Sequence, residues 1–400
     1  MNSGIGNNWF GEYRIDSAFQ PILSMGPHRV VGYEALVRGR DCNNVPVSPS
    51  TLFDLASKNA SETQLDQLCQ RVHVDNFSKV APDNTWLFLN IDPATLHNRQ
   101  YRDKFLPSIL EQTGFPFHRL VVEVLETPAI VESDLFDAVD YFRSLGALVA
   151  LDDFGAGRSN FYRIWRLVPD IIKLDRTVIW EASKHRAGNL RRMLPNLVAM
   201  MHEAGSLISI EGIENETQLM IALDAEADFV QGFYLAHPDP HPANAAISQT
   251  KMVGLQHKLA ESEFLQKNNY KLRFKDYIQE IRSIQGKFRP NKALGEACEA
   301  LLAMPNVVRV FLLDENGVEL TAFISPEKKQ SRDKRLDPMI NTLGSNWSHR
   351  EYFRSAIEQP QQVQISRPYL SSTEGQMSVV LSISNHAEPR RVFCCKIMLE

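Results

Sequence analysis

The chain has 400 residues, 44% hydrophobic and 23% charged, which suits a globular protein of two or three domains, or one large barrel with an extra module. A net charge of −5 excludes a globally basic surface for polymeric nucleic acid, and the lack of any apolar run of about 18 residues predicts no membrane span. The five cysteines show no C-x-x-C pairing, and the opening MNSGIGNNWFGEYRID lacks the basic and apolar regions of a secretion signal, so a cytoplasmic protein with reduced thiols is expected.

From Ile15 to about residue 240, short apolar runs alternate with longer helical patterns. FQPIL (19–23) and VVGYEALV (30–37) come first, separated only by SMGPHR. That gap is too short for the helical crossover of about ten or more residues that joins parallel strands, so these two are predicted to pair antiparallel. WLFLNID (86–92) follows, then the helical YRDKFLPSILEQTG, LVVEVLE (120–126), the helical LFDAVDYFRSLG and ALVALDDFG (147–155). DIIKLD (170–175), the helical NLRRMLPNLVAMMHEAG, SLISIEGIE (206–214), the helical NETQLMIALDAE and ADFVQGFYLA (227–236) complete the series. Several runs are continuously apolar, as expected of strands buried on both faces of a parallel sheet. Gly114, Gly146 and Gly205 stand where helices stop. No G-x-G-x-x-G follows the first strand. Eight strands with helices between most of them predict an irregular (β/α)8 barrel of TIM type, its first strand reversed, rather than an open doubly wound sheet.

YEALVRG, within the second run, sets Glu34 and Arg38 among apolar residues, where charges are rarely buried unless paired. The same placement recurs. Asn90 ends the third strand, Glu123 lies late in the fourth, and Asp152 and Asp153 end the fifth. Lys173 and Asp175 end the sixth, Glu211 lies in the seventh and Gln231 in the eighth. In a barrel these ends meet on one rim, where catalytic residues of barrel enzymes gather. Carboxylates and an amide so crowded need cations among them, and hard oxygen donors with no Cys or His cluster suit Mg²⁺ or Mn²⁺. Adjacent residues of a strand point to opposite faces, so Asp152 and Asp153 can share a site only where the strand is ending; Gly155 and Gly157 let the chain turn there. A carboxylate shared between two ions is the arrangement of two-metal phosphoester hydrolysis. Lys173 then polarises water or offsets developing charge, and Arg38 offers a fork for a phosphate.

Glu34-Ala35-Leu36 with Arg38 resembles the signature of the EAL family, phosphodiesterases that hydrolyse cyclic di-GMP to the linear dinucleotide. FQPI, NID, VVEVLE, LDDFGAG, PDIIKLD, IEGIE and QGFYLAHP match in family order across roughly residues 15–245. The resemblance implies that Glu34, Asn90, Glu123 and Asp152 hold one metal and that Asp152 bridges to a second held by Asp153 and Glu211. It implies two Mg²⁺ or Mn²⁺ ions, with Ca²⁺ inhibitory. Lys173 then acts as the catalytic lysine, with Glu211 beside it and Asp175 supporting Lys173 or the water. Gln20 contacts guanine, Leu36 lines the pocket, Arg38 meets a substrate phosphate and Gln231 is a rim glutamine. Glu126 and Glu214 resemble acids standing behind the site or anchoring its loops. The chain departs from the family pattern at Leu125, where Thr is usual, and at Arg158, Asn160 and Phe161 in a loop that the family couples to a dimer interface. A homodimer is expected. A receptor that binds the dinucleotide without hydrolysing it is the alternative.

The barrel domain is assigned to residues 1–248, a linker helix to 249–289 and a further domain to 290–400. In the linker, Tyr270, Phe274, Tyr277, Ile281, Ile284 and Phe288 keep heptad-like spacing, which suits either a short coiled coil or a helix packed on its own domain. VVRVFLLDENGVELTAFI, QVQISRPYL, GQMSVVLSIS and RRVFCCKIM predict an antiparallel sheet with flanking helices, DENG being a hairpin turn. SNWSHREYFRSAI followed by ISRPYLSSTEGQMSVVLSI is similar to PAS-like Cache sensor domains. That resemblance implies a small-molecule ligand, with Trp347, His349, Arg350, Tyr352, Phe353, Arg367 and Tyr369 as candidate pocket residues, and control of the barrel by this domain. Cys394 and Cys395, adjacent on a strand, are predicted to face opposite sides.

Overall fold

The computed structural model describes residues 8–26, 29–96, 104–125, 132–157, 161–184, 188–242, 254, 272–288, 292–325, 342–371, 376–386 and 388–399. The chain divides into two compact units, residues 1–260 and 261–400. Among the described residues no helix is long and apolar enough to cross a membrane.

In the first unit eight strands close on themselves: Tyr13–Ser24, Arg29–Arg40, Trp86–Ile91, Leu120–Leu125, Leu148–Phe154, Ile171–Leu174, Leu207–Ile210 and Phe229–Val230. The first strand runs antiparallel to both the second and the eighth; the remaining neighbours are parallel. The reversed first strand expected from the short connection is therefore present. Both opening strands are longer than their apolar runs, because the hairpin pairing continues from Arg14 with Arg40 to Ser24 with Arg29.

Strand alternation builds the interior in two layers. Residues facing outward, such as Leu87, Leu89, Ile91, Val122 and Val124, pack under the helices. Facing inward at the lower level, Ile22, Phe88, Val121, Ala150, Ile171 and Phe229 form an apolar plug. Gly32 belongs to the same level: a Cβ there would stand 2.6 Å from the Phe88 ring, so the aromatic needs the glycine. Two residues along each strand, toward the open end, the side chains turn polar: Gln20, Glu34, Asn90, Glu123, Asp152, Lys173, Glu211 and Gln231.

The second unit is an antiparallel sheet in the order Glu319–Ile324, Val307–Leu313, Val392–Met398 and Met377–Ser384, with Gln364–Ile365 and Tyr369–Leu370 both paired to the last. One face packs against the helix Lys275–Ser283 and its neighbours through Phe274, Ile281, Ile284 and Phe288. Of the two readings of the heptad-like spacing, the described part is the helix packed on its own unit; Tyr270 lies outside the described residues. The opposite face packs on the helix Glu351–Glu358. Cys394 joins that second face and Cys395 the first, as their adjacency predicted.

Candidate active site

The upper layer of the barrel is a buried ionic cluster. Lys173 Nζ lies 2.5 Å from Glu123, 2.7 Å from Glu211, 3.1 Å from Asp152 and 3.4 Å from Glu34. The lysine is 1% exposed and Glu123 fully buried, so the charges are held by one another rather than by water. Gln231 Nε2 donates to Glu34 at 2.8 Å and to Gln20 at 3.2 Å, and Asn90 Nδ2 donates to Glu34 at 3.1 Å. Gln20 Nε2 reaches the Ala236 carbonyl at 3.3 Å. The amides thus fix the orientation of Glu34 from both sides.

Asp152 and Asp153 reach the same rim through a break in strand pairing. Leu151 and Phe154 both face outward, three positions apart instead of two, and the register with the sixth strand shifts between them. Two residues therefore share one inward position, which is a β-bulge. Asp153 takes φ 56°, the left-handed region that Asp tolerates better than most residues. The strand does not end at the aspartates; it bulges there. Carboxylate oxygens of Asp152, Asp153 and Glu211 all lie within 4.8 Å of one another. Glu211 itself sits one residue past its strand, its N–H held by the Leu174 carbonyl at 3.1 Å.

This crowding distorts the acid–base behaviour of the cluster. Burial raises Asp152 and Glu123, the latter well above the usual carboxylate range. Glu211 is pushed up to about 8 by burial, with Asp152 and Glu34 adding and Lys173 opposing. Asp153 rises to about 6 through burial and then Asp152. Burial also works against ionised Glu34, yet Lys173 and the Gln231 and Asn90 amides bring it below its ordinary value. Lys173 is held well above its usual value: burial disfavours its charge, but the carboxylates, Asp152 foremost, outweigh that.

A cleft of about 410 Å³ opens beside the cluster, lined by Leu36, Arg38, Phe53, Asp66, His73 and Asn90 among others. Two of these, Asp66 and His73, were not anticipated. They share the helix Glu62–Val80 with Gln70, at i, i+4 and i+7, and all three are buried. A polar stripe at helical spacing was the available signal. Asp66 accepts from Gln70 at 2.8 Å and from the Asp92 N–H at 3.2 Å, tying the helix to the chain just beyond Asn90. His73 Nδ1 pairs with the Ser17 hydroxyl at 2.8 Å.

Asp175 does not enter the cluster. Its carboxylate accepts the Thr177 N–H at 2.9 Å and caps the helix Arg176–Ser183. Glu214 is exposed, and its N–H donates to Gln218. Glu126, Arg158 and Asn160 lie outside the described residues.

The site has an all-oxygen donor set in excess of its one ammonium, and Glu123 Oε2 and Gln231 Oε1 have no hydrogen-bond partner among the described residues. Both features fit hard divalent cations.

A family model described as EAL domain matches residues 10–238. The chain is 24% identical over 350 residues to the uncharacterised EAL-domain-containing protein YkuI of Bacillus subtilis, covering 85% of this chain and 83% of that protein. It is 25% identical over 228 residues to the probable cyclic di-GMP phosphodiesterase PdeN of Escherichia coli, covering 56% of this chain and 43% of that one. With the cyclic di-GMP phosphodiesterase NbdA of Pseudomonas aeruginosa the identity is 25% over 236 residues, 57% of this chain and 29% of the other. In fold, it is similar to the crystal structure of Bacillus subtilis YkuI in complex with cyclic di-GMP and calcium, at TM-score 0.80 and 20% identity over 96% of both chains. It is also similar to the manganese and cyclic di-GMP complex of Klebsiella pneumoniae BlrP1 at pH 6, at TM-score 0.52 and 23% identity, over 58% of this chain and 57% of that one.

Proposed function

The chain belongs to the EAL-domain family, and from that premise we propose that it hydrolyses cyclic di-GMP to the linear dinucleotide. The observation carrying this reading is the convergence of Glu34, Glu123, Asp152 and Glu211 on one buried lysine, beside a cleft edged by Arg38. Relatives named as cyclic di-GMP phosphodiesterases agree with it.

In this reading Glu34, Asn90, Glu123 and Asp152 hold one Mg²⁺ or Mn²⁺, and Asp152, Asp153 and Glu211 a second. Such ions supply Lewis acidity and lower the pKa of water. The protein's own groups do the rest. Arg38 forks one substrate phosphate. Gln20 faces a guanine base and Leu36 covers it, while Gln231 keeps Gln20 and Glu34 in register. Lys173, kept charged by its surroundings, stabilises negative charge as it develops on the phosphoryl oxygens. Asp175, as a helix cap, acts by holding the segment that follows Lys173. We also assign a homodimer, supported by Trp165 and Trp180, exposed by 65% and 53% on the helices Phe161–Leu167 and Arg176–Ser183. Control by residues 290–400 belongs to the same reading.

The test is turnover of cyclic di-GMP with Mg²⁺, Mn²⁺ or Ca²⁺, with binding measured in parallel. Hydrolysis with the first two and none with Ca²⁺ is expected. Binding without turnover in all three replaces the enzyme with a receptor.

A further inference from the structure

The cleft beside the barrel cluster holds a donor that the metal chemistry leaves unused. His73 lines it from the helix Glu62–Val80 and is 4% exposed. Its Nδ1 lies 2.8 Å from the Ser17 hydroxyl. Which of the two carries the hydrogen follows from the neighbours. Asn76 Nδ2 donates to the Ser17 hydroxyl at 3.1 Å and to the Asp16 carboxylate at 3.4 Å, and an amide nitrogen only donates. Ser17 therefore accepts from Asn76, and its own hydrogen has one acceptor among the described residues, His73 Nδ1. A neutral imidazole that accepts at Nδ1 carries its hydrogen on Nε2.

The ring also stays neutral. Burial and then Arg38 lower His73 from 6.5 to about 3, so it takes up no second proton near neutral pH. The Nε2–H makes no hydrogen bond among the described residues and is not sealed from solvent, so it opens on the cleft. Its position is fixed by the opening hairpin. Ser17 pairs across the strands with Val37, and Asp16 with Arg38, so the bonds from His73 and Asn76 clamp the helix at the level of the arginine.

The chemistry of the cleft decides which acceptor this donor meets. A charged acceptor is served by Arg38, whereas an uncharged donor suits a carbonyl oxygen or a ring nitrogen. Leu36, Pro49 and Phe53 give the cleft apolar walls, and about 410 Å³ has room for a flat heterocycle with its edge toward the helix. We propose that His73 determines base specificity: its Nε2–H donates to the O6 carbonyl of the guanine that Gln20 does not face. This rests on the reading of the site as one for cyclic di-GMP, whose two bases are alike. Adenine has an amino group in place of that oxygen and sets donor against donor, a mismatch that a site built for hydrogen bonding rejects strongly.

Calorimetric titration of the full-length protein with Ca²⁺ present compares three ligands. Cyclic di-GMP is the first, and its inosine analogue keeps O6 but lacks the 2-amino group. Cyclic di-AMP lacks O6 and is measured by displacement. His73→Phe keeps a ring and removes the donor. It is expected to weaken the first two ligands by about tenfold, the loss for one buried hydrogen bond left unmade, and to leave cyclic di-AMP within about twofold. Should that variant fail to fold, His73→Asn carries the same test, because its amide oxygen takes the Ser17 hydrogen while the side chain falls short of the Nε2 position. Equal losses for all three ligands overturn the guanine assignment and make His73 a packing residue. Wild-type affinities in the folded variants overturn the role of His73 and leave the phosphodiesterase reading standing. A wild-type protein that does not bind cyclic di-GMP overturns that reading, and this one with it.

Discussion

In the barrel the carboxylates of Glu34, Glu123, Asp152 and Glu211 outnumber the one ammonium they surround, whereas in the second unit a single buried carboxylate, Glu319, is filled by Arg309, Thr342 and Trp347. Both arrangements bury charge, and an imbalance of buried charge is expensive. The difference tells what each region is built for: the barrel cluster, with acids in excess, suits added cations, whereas Arg309 and Glu319 balance each other and tie strands of the second unit together. The supporting structure differs as well. The barrel sets one polar side chain from each of eight strands above an apolar plug, so its site is tied to the whole fold. In the second unit a narrow cleft beside Glu319 rests on a few side chains at one sheet face.

The sharpest way to break this comparison is to remove a barrel carboxylate. Asp152→Asn keeps the shape and deletes one excess charge. Hydrolysis is expected to fall below detection, while the thermal midpoint without metal stays level or rises, because like-charge repulsion is relieved. The midpoint gain that Mn²⁺ gives the wild-type protein should shrink or vanish. A midpoint several degrees lower in metal-free buffer contradicts the charge-excess account.

Lys173→Ala tests the other partner. Turnover is expected to drop by at least ~10², the lower end of what removing one group that stabilises developing charge costs, with metal binding retained in calorimetric titrations. Loss of metal binding in this variant makes the lysine a structural counter-ion instead.

Below the charged layer the plug has its own test. Gly32→Ala places a methyl group 2.6 Å from the Phe88 ring and 3.0 Å from the Trp86 carbonyl. Denaturant unfolding should show a loss of about 1–3 kcal/mol, the range for overpacking a tight core. An unchanged midpoint means the lower layer has room to yield.

The smallest effect is expected at Asp66 and His73, where two buried titrations oppose each other. Burial raises Asp66 from its ordinary 3.8 to about 7, so between those values the folded state holds the extra proton and stability falls as pH rises. Burial and then Arg38 lower His73 from 6.5 to about 3, so there the unfolded state holds the extra proton and stability rises with pH. From about pH 4 to 6.5 the two contributions have opposite sign and largely offset. Asp66→Asn removes the first, so its stability relative to wild type should climb steadily over that window in pH-dependent unfolding. Parallel curves for the two proteins disprove the assignment.

The alternation of apolar runs with amphipathic stretches was enough, read along the chain, to order the eight strands, to reverse the first and to bring Glu34, Asn90, Glu123, Asp152, Lys173, Glu211 and Gln231 to one rim. Strand alternation is a local property, so residues two apart reveal a shared face before any contact is known. What depended on partners distant in sequence was not legible. The bulge at Asp152 and Asp153 arises where pairing with the sixth strand slips, and its left-handed residue is no glycine. The same heptad-like spacing fits a dimer seam or a face packed at home, and only the sheet opposite Phe274, Ile281 and Ile284 decided between them. Of the aromatic and arginine motifs near residue 350, Trp347, Arg350, Tyr352 and Tyr369 meet at the cleft, Phe353 packs in the core, and His349 and Arg367 face solvent. Arg309, Glu319 and Lys396 complete that cleft from strands whose charges look solvated in the sequence, because a buried charge is recognised by its partner, and the partner is brought by the fold.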